Sequence, residues 1–186
     1  AGKGKKDKLT HCGLYGPQNS MDALEILYDM EVDYYAQINF TGVETLVDAV
    51  GGITVNSTQA FRCGGNREVQ IVKGENHLNG KEALAFARER YNVKGGDNGR
   101  GKNQMRVITA IIQKMTTGTT VISKYSSILK SMEGMFRTSV SMDEISMLVK
   151  MQLDDMASWN IQSFAVTGTG GREKNYSSPG HKAYVM

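Results

Sequence analysis

The chain is predicted to be an α/β or α+β fold, with one sheet covered by helices. Three observations predict it. Segments with alternating apolar residues interleave with segments of helical apolar spacing. Thr41-Gly-Val-Glu44 and Ser141-Met-Asp-Glu144 have the form of capping boxes that open helices. Gly51-Gly52 has the form of a helix stop.

In order, Leu9 to Gly16 reads as an irregular lead-in. Pro17, Asn19 and Ser20 signal a helix start, and Met21, Leu24, Ile26, Leu27 and Tyr28 give that helix an apolar stripe. Tyr34 to Phe40 alternates as a strand, and Thr41 caps a helix with Leu46, Val47 and Val50 inward. Ile53 to Val55 begins a strand, Asn56 to Arg67 is a polar loop, and Val69 to Val72 is a further strand. Gly74 to Gly80 is a turn region, in which Asn79 caps a helix carrying Ala83, Leu84, Phe86 and Ala87. A loop from Asn92 to Gly99 leads into a long helix. Thr119 to Met132 is helical. The helix opened by Ser141 places Ile145, Leu148, Val149, Met151 and Leu153 inward. Ile161 to Val166 alternates as a strand, Gly168 to Gly171 and Pro179-Gly180 are loops, and Tyr184 to Met186 is a last strand.

At 186 residues the chain is long enough to bury a real core, and a single domain over residues 1–186 is expected. A net charge of +3 is too mild to argue for nucleic acid. Lys3, Lys5, Lys6 and Lys8 read as a solvated tail. No apolar run approaches the roughly 20 residues of a membrane span. The chain opens on Ala1 and reads as a piece of something longer. His11, His77 and His181 show no ligand spacing, so no metal site is assigned. Cys12 and Cys63 are either two buried thiols or, in an oxidising compartment, a pair. Met132, Met142 and Met147 sit at helical core spacings.

The candidate site lies between Arg88 and Gln104. Arg88 and Arg90 would point about 200° apart on a helix but share a face of an extended segment. Asp97, Arg100 and Gln104 follow at i, i+3 and i+7, on one face of the long helix. Two forked cations, a carboxylate, a third guanidinium and an amide beside a helix N-terminus make a phosphate cradle. A charge run is ordinarily a solvated face. Five polar residues in register favour a site. Further along the same face lie Ile108, Ile111 and Met115. That apolar stripe reads as core packing, or as a slot for a lipid tail below a charged mouth.

At Val32 to Val55, and most specifically at Leu78 to Ile111, the chain resembles the LytR-CpsA-Psr family. The arginine pair, the Gly-Asp loop and the Arg-x-x-x-Gln helix occur in the family's order. Lys8 to Gly16 and the end from Trp159 through Gly168, Pro179-Gly180 and Tyr184 are similar to it as well. The pattern looks like that of members from capsule-making Gram-positive bacteria.

The resemblance implies a mixed central sheet flanked by helices on both faces, with an apolar tunnel for a polyprenyl tail. It implies a phosphotransferase that attaches an anionic glycopolymer (capsular polysaccharide or wall teichoic acid) from a polyprenyl-pyrophosphate carrier to peptidoglycan. The work is expected at the extracellular face of the cytoplasmic membrane, held there by an N-terminal anchor. Arg88 and Arg90 match pyrophosphate-gripping arginines, and Asp97, Arg100 and Gln104 match the polar group of the same site. Asp97 and Arg100 are the catalytic candidates, and Arg88, Arg90, Arg100 and Gln104 bind substrate. The family's domain begins upstream of Lys8. Its first strands, its anchor and the ligands of its Mg2+ are therefore expected outside this chain. Nucleic acid is not an expected partner. A carrier-binding module without turnover and a transcriptional regulator are the alternative readings.

Overall fold

The structure is a computed structural model that describes residues 7–65, 68–117, 124–164 and 168–185. In chain order the elements are α1 (Leu9–Cys12), α2 (Pro17–Tyr28), β1 (Ala36–Ile38), α3 (Phe40–Ala49), β2 (Ile53–Ser57), β3 (Phe61–Arg62), β4 (Gln70–Ile71), β5 (Gly74–Leu78), α4 (Gly80–Arg88), α5 (Gly96–Thr117), α6 (Tyr125–Ser131), β6 (Phe136–Thr138), α7 (Met142–Asp155), β7 (Gly171–Asn175) and β8 (Ser178–Val185). The class is mixed α and β. The strand pairs include β2 with β5, β3 with β4 and β7 with β8, each antiparallel and each a two-stranded sheet rather than part of one continuous sheet.

The chain divides into two compact units, one of Ala1–Gln37, Thr138–Val140 and Val166–Met186, the other of Ile38–Arg137 and Ser141–Ala165. In the first, α1 and α2 occupy the stretch where the lead-in and the first helix are expected. Pro17 sits in the first turn of α2, where its missing N–H costs nothing. The expected stripe is only partly inward: Met21 is buried, whereas Ile26, Leu27 and Tyr28 face solvent. Asp7 accepts a hydrogen bond from Ser177 and lies 2.8 Å from His11 Nδ1. With the Ser177 bond as the main cause, the Asp7 carboxyl is lowered to about 2. The closing segment differs from expectation. The stretches expected to be loops at Gly171 and Pro179-Gly180 belong to the β7–β8 hairpin, because backbone pairing outweighs the turn character of those residues.

The second unit holds the core. Val47, Val50, Ile53, Val55, Phe61, Ile71, Leu78, Phe86 and Val107 are among its buried residues. In β2, Ile53, Val55 and Ser57 point inward and alternate residues outward, as a half-buried strand requires. Ile53 pairs with Leu78 and Ser57 with Gly74, so the expected turn region at Gly74 to Gly80 is instead mostly strand β5. The turn that feeds it is held by Asn76. Its Oδ1 accepts from Val72 N–H and its Nδ2 donates to the Val72 and Gly74 carbonyls, each at 2.9 Å. Strand β3 lies inside the stretch expected to be a polar loop, and packs because Phe61 stacks on Phe86 with ring centroids 5.7 Å apart.

Helix α3 starts two residues earlier than predicted. Asn39, not Thr41, is its cap, and the Asn39 side chain accepts from the Gly42 N–H at 2.7 Å. The stop at Gly51-Gly52 is present, with Gly51 N–H donating to the Asp48 carbonyl and Gly52 N–H to the Val47 carbonyl. Asn79 and Glu82 form a full capping box on α4. Helices α3 and α4 meet at Gly80, whose N–H donates to Asp48 Oδ1 at 2.7 Å. A Cβ there would lie 2.3 Å from the Glu44 carbonyl oxygen, so only glycine permits this approach.

The Ser141–Glu144 capping box opens α7 as predicted. Its inward set is smaller: Leu148, Met151 and Leu153 are exposed, as are Met142 and Met147, while Met132 is buried. Gln152 is the buried residue of this helix. It donates to the Thr116 and Ala157 carbonyls and accepts from Trp159 Nε1. Residues 161–164 are not a strand, and the rest of that predicted strand lies outside the described residues, as does the start of the Thr119 helix. Both cysteines are free and buried.

Candidate functional site

Helix α4 carries an apolar face into the core and a basic residue at its end. Ala83 and Phe86 are fully buried and Ala87 nearly so, which fixes the rotation of the helix. Arg88 is the last helical residue. Glu89 follows in an extended conformation, with φ −63° and ψ 129°. Arg88 and Arg90 consequently turn outward and Glu89 inward, the alternation expected of an extended segment. Both arginines line a cavity of about 530 Å³, together with Glu44, Lys81, Leu84 and Tyr91. The Arg88 guanidinium lies 4.3 Å above the centre of the Phe40 ring, which holds it as a cation–π partner.

The loop ends earlier than the sequence predicts, because α5 already begins at Gly96. Gly95 and Gly96 both have positive φ, and that left-handed pair makes the sharp entry to the helix. Asp97 stands in the first turn of α5, where the helix dipole favours a carboxylate. Its Oδ1 is 2.5 Å from Arg100 Nη2 and 3.7 Å from Arg90 Nε. Asp97 thus bridges the loop arginine to the helix arginine. All three side chains are between about a third and three-fifths exposed, so the bridge orients the guanidiniums more than it stabilises the fold.

Of the five predicted residues, Arg90, Asp97 and Arg100 are joined by ion pairs, and Arg88 shares a cavity wall with Arg90. Gln104 lies one turn beyond Arg100 on α5 and is exposed, outside the ion-paired group. The apolar continuation of that face is mixed: Ile111 and Met115 pack against the core and Ile108 is exposed.

Glu89, outside the five predicted residues, is only 4% exposed. Its Oε1 accepts backbone N–H bonds from Arg90, Tyr91 and Asn92 at 2.9, 2.8 and 2.9 Å, and its Oε2 accepts one from Gly64. The signal was present: the period-two argument that puts the arginines on one face puts Glu89 on the other. Burial pushes the Glu89 carboxyl up, but the N–H groups of Asn92, Gly64, Tyr91 and Arg90 together outweigh it and hold it below its ordinary value. A depressed carboxyl contributes stability that is present above its unfolded pKa, about 4.3, and lost as pH falls through the folded value. The urea midpoint of the chain is therefore expected to fall as pH drops below about 4.5, and less steeply in Glu89→Gln, measured by circular dichroism across that window.

Among the described residues no group of three or more His, Cys, Asp or Glu could hold a metal ion. Asp97 is already shared by two guanidiniums. Among the described residues no helix is long and apolar enough to cross a membrane.

The LytR_cpsA_psr family model matches residues 1–184. The chain is 38% identical over 163 residues to the polyisoprenyl-teichoic acid–peptidoglycan teichoic acid transferase TagU of Bacillus licheniformis, covering 87% of this chain and 48% of that protein. It is similar to the crystal structure of TagU from B. subtilis, with a TM-score of 0.70 and 36% identity over 91% of this chain and 68% of that one. It is also similar to a structure of TagT bound to LI-WTA, with a TM-score of 0.68 and 26% identity over 89% of this chain and 61% of that one. The chain spans about half the length of the TagU relatives it matches.

Proposed function

This chain belongs to the LytR_cpsA_psr family, and from that premise we propose that it carries the pyrophosphate-binding part of a glycopolymer transferase. The donor is an anionic glycopolymer, wall teichoic acid or capsular polysaccharide, on a polyprenyl pyrophosphate. The acceptor is a hydroxyl of peptidoglycan. Wall teichoic acid is the favoured polymer, since the transferases at 37–38% identity are named for it. A prenyl carrier resides in the bilayer and peptidoglycan outside it, which places the reaction at the outer face of the cytoplasmic membrane.

The observation that carries this reading is the Arg90–Asp97–Arg100 bridge beside Arg88. Two guanidiniums meet one short carboxylate, and a third, that of Arg88, shares a cavity wall with Arg90. Guanidinium forks match the paired non-bridging oxygens of a pyrophosphate. In the reaction the acceptor oxygen bonds to the sugar-linked phosphorus, the bond from that phosphorus to the bridging oxygen breaks, and polyprenyl phosphate leaves. The hydroxyl proton passes to solvent or to a base. Arg88, Arg90 and Arg100 hold the phosphoryl oxygens and offset the charge that builds on the leaving phosphate. Gln104 offers an amide on the same helix face.

Asp97 acts as an orienter, because its Oδ1 is shared by two guanidiniums. Asp97→Asn in a longer, active form is accordingly expected to keep turnover within a few-fold of wild type while weakening pyrophosphate binding. A base would cost about 100-fold or more in turnover, with binding intact. The reading itself is tested by transfer of labelled glycan from a prenyl-pyrophosphate donor to peptidoglycan by the longer form. Carrier binding without transfer would replace it with a carrier-binding module.

A further inference from the structure

The arginine loop is polar and rich in glycine and asparagine, and the sequence alone gives it no reason to hold one shape. Three bonds fasten it to one neighbouring segment. Glu89 accepts from Gly64 N–H, Asn92 Nδ2 donates to the Arg62 carbonyl at 3.0 Å, and Lys94 N–H donates to Gln59 Oε1 at 3.1 Å. Only the first of these comes from a buried charge, and only that residue also gathers the loop's own amides. Glu89 sits between two arginines, yet among the described residues no ion pair joins it to either. Its charge is satisfied by N–H dipoles, so it does not compete with an anion for either guanidinium.

We propose that Glu89 is a positioning residue for the arginine pair: its inward carboxylate gathers the amides of Arg90, Tyr91, Asn92 and Gly64 and so presets where the Arg88 and Arg90 guanidiniums stand. This rests on the reading of the pair as a pyrophosphate site and names the part that shapes it. The consequence is preorganisation, which places the cost of ordering the loop in folding rather than in binding. Glu89→Gln keeps the size but removes the charge. It also turns an NH2 group toward the Gly64 N–H, where an acceptor is needed. Glu89→Asp keeps the charge on a shorter stem.

The test measures affinity of this chain for inorganic pyrophosphate and for a short prenyl alcohol. Wild type is compared with Glu89→Gln and Glu89→Asp, each checked for native helicity. Glu89→Gln is expected to bind pyrophosphate about tenfold more weakly, with alcohol binding unchanged and partial recovery in Glu89→Asp. A second arm needs no variant: in wild type, hydrogen exchange of the Gly64, Arg90, Tyr91 and Asn92 amides is expected to slow when pyrophosphate binds. Folded Glu89→Gln binding within twofold of wild type would overturn the proposal. So would amides whose exchange ignores the ligand. Failure of wild type to bind pyrophosphate is a different result, which overturns the function proposed for the site itself.

Discussion

Replacing both loop arginines, Arg88→Ala with Arg90→Ala, is expected to weaken binding of a short prenyl pyrophosphate to this chain by about 100-fold or more. Each charge-assisted hydrogen bond to a phosphoryl oxygen contributes roughly 1.5–3 kcal/mol, so losing two removes about 3–6 kcal/mol. The side chains face a cavity and solvent, not the core, so helicity is expected to survive the change. The matching prenyl alcohol supplies the control, because it keeps the apolar part of the ligand and lacks the charge. Titration calorimetry on the four combinations separates the contributions. Equal affinity of wild type for alcohol and pyrophosphate would strip the arginines of their role and leave only an apolar binding surface.

The largest effect on stability is expected at Phe86→Ala. Phe86 has no exposed surface, and its ring stacks on Phe61 with an interplanar angle of 22°. Truncating a buried aromatic ring removes its transfer energy and leaves a void, a cost of about 3–5 kcal/mol. The residue also fixes the rotation of α4 two positions before Arg88. The urea midpoint is therefore expected to drop sharply, with pyrophosphate affinity falling in the fraction that remains folded. Phe164→Ala is the control. That ring is 89% exposed, and its loss is expected to change stability by no more than about 0.5 kcal/mol. Comparable midpoints for the two variants would show that the core is not centred on Phe86.

The mixed α and β class and the helix starts at Asn79 and Ser141 could be read from the chain, because capping boxes and apolar spacing are local signals. So could the grouping of Arg90, Asp97 and Arg100, since period two and period 3.6 arguments each say which side chains share a face. The strand β5 was hidden by Gly74 and Asn76, residues whose turn character is real but which here serve a strand paired with β2. The hairpin at the chain's end was hidden in the same way by Gly171 and Pro179-Gly180. The exposed Leu148 and Met151 show the limit of a periodic stripe. Apolar spacing says which residues share a face, and nothing about what that face meets. Glu89 was missed for a different reason. Between two arginines a glutamate suggests a surface ion pair, and only the fold reveals that its partners are backbone amides.

Glu89 has a neighbour whose chemistry it changes. Burial, with the negative charge of Glu89 beside it, pushes the Cys63 thiol up to about 11. At neutral pH roughly one molecule in ten thousand carries the reactive thiolate. The sulfur is also nearly sealed from solvent, at 1% exposure. Cys63 is therefore expected to react slowly with oxidants and alkylating reagents in the folded chain. The rate of Cys63 labelling is therefore expected to report local opening around the Gly64–Glu89 bond.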